Sequence, residues 1–107
     1  MISLEDFQKI DLRVAQITKA EKVEKTDRLL KVSVKLAEEE RTLVAGLGGQ
    51  YSSEELVGLK VIVVANLEPA IIRGIESNGM MLGVGCEGDE IALLTLTRDA
   101  PDGARVE

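Results

Sequence analysis

A strict two-residue alternation of side chains runs through residues 29–36. Every second residue is a large aliphatic one: Leu30, Val32, Val34 and Leu36. Because successive side chains of a strand point to opposite faces, this period predicts a half-buried β-strand. The opposite face is partly basic, since it carries Lys31 and Lys35 beside Leu29 and Ser33.

Shorter strand-like segments recur along the rest of the chain. Leu12 and Val14 share one face of a predicted strand while Ala15 and Ile17 share the other, and this switch predicts a β-bulge near Ala15–Gln16. A hairpin turn is predicted at Glu38–Glu40. The further predicted strands are residues 41–45, 61–65, 80–84 and 91–96.

Two short helices and one irregular stretch complete the pattern. Ser3 resembles a helix N-cap, with acidic residues in the first turn, and predicts a helix over residues 3–9. A second capped helix is predicted over residues 52–57, ending at Gly58. The stretch Asn66–Asn78 is predicted to be irregular, because Pro69 and Gly74 interrupt it.

The order of these elements predicts the fold class. Five short strands with a helix between the third and fourth match an all-β, five-stranded OB-fold, a small closed Greek-key barrel. A short helix precedes the barrel and a C-terminal β extension follows it. At 107 residues the chain fits a single domain, residues 1–107.

The amino-acid composition indicates the cellular compartment in which such a domain is expected. Hydrophobic residues make up 45% and charged residues 30%, as in a folded soluble protein rather than a disordered tail. No apolar run approaches the ~20 residues of a membrane helix, so no membrane partner is expected. The acidic N-terminus does not resemble a signal peptide, and the single Cys86 cannot form an internal disulfide. We therefore expect a cytoplasmic protein.

The chain contains no histidine, which removes the commonest general base and the commonest metal ligand. Cys86 thus lacks the usual partner for thiol catalysis. The carboxylates cluster in hydrophilic stretches such as Glu38–Glu40, which are typical of solvated turns. We expect no enzymatic activity, no catalytic residue, no metal and no cofactor.

The net charge of −6 argues against a nucleic-acid partner, but the charge is unevenly distributed. Residues 1–41 hold nine basic and nine acidic residues, whereas residues 42–107 hold four basic and ten acidic ones. The negative excess therefore lies in the C-terminal part. The N-terminal part is free to form a local basic face.

Ordered short motifs carry a family resemblance across nearly the whole chain. They are Asp11–Val14, Ala20–Glu21, Leu29–Val32, Leu43–Gly46, Tyr51, Val64–Pro69, Arg73–Gly74 and Ser77–Met80. No single motif is decisive, but the ordered set is specific. It closely resembles the OB-fold tRNA-binding domain found at the C-terminus of methionyl-tRNA synthetases and in free-standing tRNA-binding proteins.

The resemblance implies a non-catalytic homodimer that recognises tRNA by overall shape and backbone. Such a module would aid methionyl-tRNA synthetase in aminoacylation, either fused to its catalytic part or acting in trans. The RNA-binding residues that it implies are Arg13, Lys31, Lys35, Asn66, Arg73, Ser77, Asn78, Gly79 and Met80. For Arg13 a structural role is the alternative.

Two positions depart from the family pattern. Many members carry a lysine just after the proline of the Asn66–Pro69 segment, but here Ala70–Ile72 follow, which leaves Arg73 as the cation of that region. Family members commonly have Glu or Gln where this chain has Asn78. The first change would weaken the hold on an RNA backbone.

Each candidate residue also has a purely structural interpretation. Lys31 and Lys35 can form a solvated outer face, and Arg73 can pair with Glu76, although exposed pairs contribute little. Ser77–Gly79 is in the first place a turn, whose backbone N–H groups can also face phosphate. Met80 and its neighbour Met81 point to opposite faces, so one of them is expected in the core.

The scarcity of aromatic residues favours folded RNA over single strands. Binders of single strands stack bases on aromatic rings, and this chain has only Phe7, expected beneath the N-terminal helix, and Tyr51. Structured RNA is held through backbone and 2′-hydroxyl contacts instead.

A second hypothesis is a chaperone-like or protein-interaction dimer of the CsaA type, since those export chaperones share this barrel. In either case we expect a two-fold interface formed by residues 91–96, residues 104–106 and the N-terminal helix. That interface would cover apolar side chains that so small a barrel leaves exposed.

Overall fold

The N-terminal helix is short and capped at its start. In the computed structural model, which describes all 107 residues, helix α1 spans Leu4–Gln8. The Ser3 hydroxyl accepts a hydrogen bond from the Asp6 N–H at 3.1 Å, and the Asp6 carboxylate accepts one from the Ser3 N–H at 3.4 Å. This capping box satisfies two N–H groups that a helix start leaves unpaired, and it confirms the predicted N-cap.

Three antiparallel strands follow. They are β1 (Leu12–Lys22), β2 (Leu30–Leu36) and β3 (Glu39–Ala45). Val32 at the centre of β2 lies opposite Ala20 of β1 and Leu43 of β3, and all three are buried. The alternation predicted for β2 is confirmed, because its four aliphatic side chains point inward and are buried.

The β-bulge of β1 lies at Thr18, not at the predicted Ala15–Gln16. The register with β2 shifts between Ile17 and Lys19, and the Thr18 hydroxyl donates to the Ser33 carbonyl at 3.2 Å. The prediction was wrong because Val14 and Ala15 are both buried, on opposite faces of the strand. Ala15 belongs to the barrel core, whereas the backbone of Val14 bonds to the C-terminal segment.

The turn between β2 and β3 also differs from the prediction. Glu39 and Glu40 already pair with Leu36 and Lys35, so the hairpin loop is Ala37–Glu38 rather than Glu38–Glu40. Ala37 adopts a positive φ of 55°, as two-residue hairpin loops demand.

The second helix and the fourth strand agree with the predicted pattern. Helix α2 spans Ser53–Leu56, with Ser52 as its N-cap. Gly58 follows with a φ of +95°, a left-handed conformation that favours glycine. Strand β4 (Lys60–Val64) then pairs with β1, and its four C-terminal residues are buried.

The stretch predicted to be irregular contains a hairpin. Strands β5 (Ala70–Ile72) and β6 (Ile75–Ser77) pair with each other around the two-residue turn Arg73–Gly74. The predicted strand 80–84 is divided by Leu82 into β7 (Met80–Met81) and β8 (Gly83–Gly85). The last predicted strand is shorter than expected, with β9 at Ile91–Leu93.

These strands curl into a half-barrel. The main sheet has the order β3-β2-β1-β4-β7 and is antiparallel throughout. Its two edges meet near the end of β6, where the Asn78 N–H donates to the Thr42 carbonyl at 2.9 Å and the Val44 N–H donates to the Ser77 hydroxyl at 3.0 Å. The core inside consists of aliphatic side chains from β1–β4 with Leu47 and Leu56. The predicted OB-fold is confirmed.

The C-terminal segment extends the barrel along β1, as predicted. The Val14 N–H donates to the Ala104 carbonyl at 2.9 Å, and the Val106 N–H donates to the Leu12 carbonyl at 2.8 Å. Lys60 holds the preceding segment through ion pairs with Asp99 at 2.7 Å and Asp102 at 3.6 Å. The hydrogen bond between Lys60 and Asp99 raises the pKa of the ammonium and lowers the pKa of the carboxyl group.

Neither helix has the length and apolar character required to cross a lipid bilayer.

Candidate nucleic-acid interface

The two lysines of β2 lie on the outer face of the barrel. Lys35 is exposed and forms no ion pair, so its ammonium is available to a ligand. The Lys31 side chain is 40% exposed, and its ammonium lies 3.8 Å from the Glu21 carboxylate. At a strand rise of ~3.3 Å per residue, the two lysines are about 13 Å apart along β2.

Lys31 and Arg73 line the same groove, which has a volume of about 640 Å³. One wall is the segment that follows β1, and the other is the β5–β6 hairpin. Two further cations lie in the groove, Lys22 and Lys25, together with two acids, Glu21 and Glu24. Four cations against two acids leave the groove with a net charge of +2 on a chain whose net charge is −6.

Sequence reasoning missed Lys22 and Lys25. Lys22 is the last residue of β1 and Lys25 lies in the turn that follows, and both line the groove together with the β5–β6 hairpin. The signal that could have found them is the position of this turn. The loop after the first strand and the loop before the last strand of an OB-fold are both ligand-binding loops.

The hairpin turn determines where Arg73 lies. Arg73 and Gly74 have φ values of 52° and 79°, as in the type I′ turns that connect closely paired strands. Glu76 lies opposite Ile71 and forms no ion pair with Arg73, so the predicted alternative pairing is absent. The Arg73 guanidinium therefore remains available to a ligand in the groove.

Ser77 and Gly79 are placed inside the closure of the barrel. Ser77 is 5% exposed, and its hydroxyl accepts from the Val44 N–H and donates to the Gly79 carbonyl at 3.4 Å. Gly79 has a φ of +124°, and a Cβ there would lie 2.9 Å from the Val64 carbonyl oxygen. Both residues thus shape the loop that carries Asn78 and Met80.

Asn78 and Met80 are presented outward by that loop. The Asn78 side-chain amide forms no hydrogen bond within the chain and lines a shallow depression of about 340 Å³. Met80 is 50% exposed, whereas Met81 packs against the core, as the alternation of the two predicted. Arg41 lines the same depression as Asn78 and was not among the predicted residues.

Arg13 and Asn66 are occupied by contacts within the protein. The Arg13 guanidinium donates to the Asp11 carboxylate at 2.7 Å and to the Gly103 carbonyl at 3.1 Å. The Asn66 amide accepts from the Asp11 N–H at 2.9 Å and donates to the Lys9 carbonyl at 2.7 Å. These bonds fix the C-terminal segment and the end of α1 to the barrel, which favours the structural alternative for Arg13.

The structure therefore separates the nine predicted residues into two groups. Lys31, Lys35 and Arg73 present cationic groups on the outer face of β2 or in the groove, whereas Asn78 and Met80 present their side chains from the loop that follows β6, outside the groove lining. Arg13, Asn66, Ser77 and Gly79 support the backbone around them. Neither aromatic ring lines the groove: Phe7 is in α1, and the Tyr51 hydroxyl donates to the Ile91 carbonyl at 2.9 Å.

Comparison of the amino-acid sequence with known proteins identifies the family of this chain. The family model described as "Putative tRNA binding domain" matches residues 12–105. The chain is 50% identical over 105 residues to a methionine–tRNA ligase of Caldanaerobacter subterraneus and 49% identical over 106 residues to one of Deinococcus radiodurans. Each match covers at least 98% of this chain but 16% of the relative's length.

Solved structures show the same architecture. A "MetRS related protein" of Pyrococcus horikoshii superposes with a TM-score of 0.92 at 37% identity, covering 100% of this chain and 98% of that one. The chaperone CsaA of Bacillus anthracis superposes with a TM-score of 0.90 at 26% identity, covering 100% and 99%. The sequence match and the fold agree: this chain belongs to the tRNA-binding domain family related to methionine–tRNA ligases.

Proposed function

We propose that this domain binds folded tRNA through one continuous surface. The surface comprises the outer face of β2, the groove between the segment after β1 and the β5–β6 hairpin, and the loop 78–80. The observation that carries the proposal is the groove itself, which gathers Lys22, Lys25, Lys31 and Arg73 on a chain of net negative charge. Local cations rather than net charge hold a phosphate backbone.

The proposed mode of recognition is shape and backbone rather than base sequence. The groove holds ammonium and guanidinium groups, which suit phosphate oxygens, and no aromatic ring on which a base could stack. Asn78 adds an unpaired amide, which can bond to a phosphate oxygen or a 2′-hydroxyl. A rigid RNA, whose phosphates are fixed in space, can contact several of these separated groups at once and therefore binds most tightly.

We further propose that the domain aids aminoacylation by raising the affinity of a synthetase for its tRNA. Support comes from the sequence relationship to methionine–tRNA ligases, of which the matched region is a small part. The domain itself carries out no chemistry in this proposal. It acts either joined to the catalytic part or as a separate partner of it.

A charge-removing double variant tests the proposed surface. Lys31→Ala with Arg73→Ala should weaken tRNA binding by about 10- to 30-fold at about 0.1 M salt, because two phosphate contacts are lost. If about four phosphates are engaged, the slope of log affinity against log salt should also fall in magnitude by about 1.4, from roughly 3, at about 0.7 per phosphate. Filter binding across a salt series measures both quantities.

The matched control is Lys9→Ala with Arg98→Ala, which removes the same charge from exposed positions outside the groove. An equal loss in both double variants would mean that binding follows net charge, and would remove the groove from the site.

A chaperone-like role in binding proteins is the second candidate, and two structural comparisons favour it. Two CsaA chaperones, from Bacillus anthracis and Picrophilus torridus, superpose over the whole chain with TM-scores of 0.90 and 0.91. Protein contacts of this kind would depend weakly on salt, so the same salt series separates the two candidates.

We also propose that the domain works as a homodimer. A depression of about 350 Å³ lies between α1 and the C-terminal segment, and its lining combines four apolar residues, Leu4, Phe7, Ile10 and Val106, with the polar Gln8, Arg105 and Glu107. Leu4 is 70% exposed, and Leu94, which follows β9, is 39% exposed. A two-fold contact would remove this apolar surface from water.

A further inference from the structure

Glu21 lies between two lysines at the edge of the groove. Its carboxylate oxygens are 3.8 Å from the Lys31 ammonium and 3.9 Å from the Lys19 ammonium. Both contacts are long for ion pairs, and the side chains involved are 40% to 68% exposed. One carboxylate therefore serves as a shared counter-ion for two cations of the outer face.

The β-bulge at Thr18 produces this arrangement. Ala15 and Ile17 point into the core, and an unbroken strand would turn Lys19 and Glu21 inward as well. The extra residue reverses the parity, so Ala20 continues the inner face while Lys19 and Glu21 lie on the outer one. Glu21 is consequently placed directly opposite Lys31 on β2.

The other charged groups of the groove are not paired in this way. Lys22, Lys25 and Arg73 form no ion pair within the chain, and neither does the second acid, Glu24. Lys31 is thus the one groove cation that has an ion-pair partner within the protein. A phosphate that reaches Lys31 must displace the Glu21 carboxylate or share the ammonium with it.

We propose that Glu21 is a built-in competitor of the ligand phosphate and limits the affinity of the groove for RNA. This inference rests on the proposed tRNA-binding function. In the free domain the Glu21 carboxylate occupies the electrostatic position that a phosphate takes when RNA is bound. Because exposed pairs of this length are weak, the exchange is readily reversible, which suits a module that must release its tRNA.

The substitution Glu21→Gln tests the proposal, because glutamine keeps the size of the side chain and removes its charge. At about 0.1 M salt the variant should bind bulk tRNA about two- to fivefold tighter, as expected for removing one weak, exposed competitor of a phosphate contact. Glu24→Gln is the matched control, since it changes the net charge and the groove charge equally. It should change the affinity by less than about twofold.

A double-mutant cycle shows whether the gain acts through Lys31. Glu21→Gln in a Lys31→Ala background should lose most of the gain that it produces in the wild-type domain. An equal gain in Glu21→Gln and Glu24→Gln would overturn the proposal, since net charge alone would then explain it. Weaker binding by Glu21→Gln would also overturn it, because Glu21 would then position Lys31 for the ligand.

A second probe separates this inference from the proposed function. Tripolyphosphate, titrated against the ¹⁵N-labelled domain by NMR, reports on the groove without RNA. A wild-type domain that binds no tRNA would refute the proposed function, while tripolyphosphate bound tighter by Glu21→Gln than by Glu24→Gln would still support the competition. Equal tripolyphosphate affinity of the two variants would overturn it.

Discussion

At the scale of single residues, the motif residues divide into those that present charge and those that hold the backbone. Lys31, Lys35 and Arg73 keep their cationic groups accessible to solvent. The Ser77 hydroxyl instead forms hydrogen bonds inside the barrel. A match to a sequence motif does not distinguish residues that contact a ligand from residues that support the backbone. Burial and hydrogen-bond partners separate them.

Ser77 is therefore predicted to matter for stability rather than for direct RNA contact. In Ser77→Ala the partly buried N–H of Val44 loses its acceptor, the buried Ser77 hydroxyl, which should lower the free energy of unfolding by about 1–3 kcal/mol. Urea unfolding followed by circular dichroism measures this change. The tRNA affinity of the folded variant should stay within about twofold of the wild-type value.

Ser33→Ala is the control, because its hydroxyl lies on the outer face of β2 without a hydrogen bond, and it should change stability by less than about 0.5 kcal/mol. Unchanged stability of Ser77→Ala together with a large loss of tRNA affinity would identify Ser77 as a direct RNA ligand.

At the scale of elements, periodic side-chain patterns predicted the strands with one buried face, but not the features between them. Strand β2 was predictable from the sequence of residues 30–36 alone, because the alternating aliphatic side chains there are also the buried ones. The position of the bulge in β1 was not predictable in this way. Both faces of β1 are buried around Val14 and Ala15, and the bulge residue Thr18 is exposed. The β5–β6 hairpin was missed because Arg73–Gly74 lacks the usual Asn-Gly signature of a type I′ turn.

The candidate site was partly predictable for the same reason. Lys31 and Lys35 follow from strand parity, and Arg73 follows from the family motif. Lys22 and Lys25 were missed because their residue types do not show that the end of β1 and the turn after it lie beside the β5–β6 hairpin, and only the place of that turn in an OB-fold indicates it. Nothing in the local sequence of either loop encodes the distance between them.

Helix α1 and the C-terminal segment carry the prediction about assembly. Leu4→Glu should convert the proposed dimer to a monomer, because it replaces the 70% exposed leucine of the depression with a charge without disturbing the helix start, where acids are favourable. Sedimentation equilibrium at micromolar concentration measures the mass. Ile71→Glu is the control, since Ile71 is equally exposed, at 69%, but lies on the β5–β6 hairpin.

A wild-type domain that sediments as a monomer would contradict the dimer. A monomer produced equally by both variants would show that added negative charge, rather than the depression, dissociates the dimer.

At the scale of the whole molecule, an acidic domain presents a local basic surface. The groove has a net charge of +2, while the chain as a whole carries −6. Such a surface attracts a polyanion only where several phosphates meet several cations at once. A folded RNA holds its phosphates in a fixed arrangement, whereas a flexible strand loses conformational entropy when it is ordered against the protein.

The central claim is therefore recognition of the tRNA fold, and a direct comparison tests it. The affinity of the wild-type domain is measured for a tRNA transcript refolded in Mg²⁺ and for an RNA with the same nucleotides in scrambled order. We predict that the folded tRNA binds at least about tenfold tighter at equal salt, because its backbone is already arranged for the groove. Equal affinity for the two RNAs would contradict shape recognition.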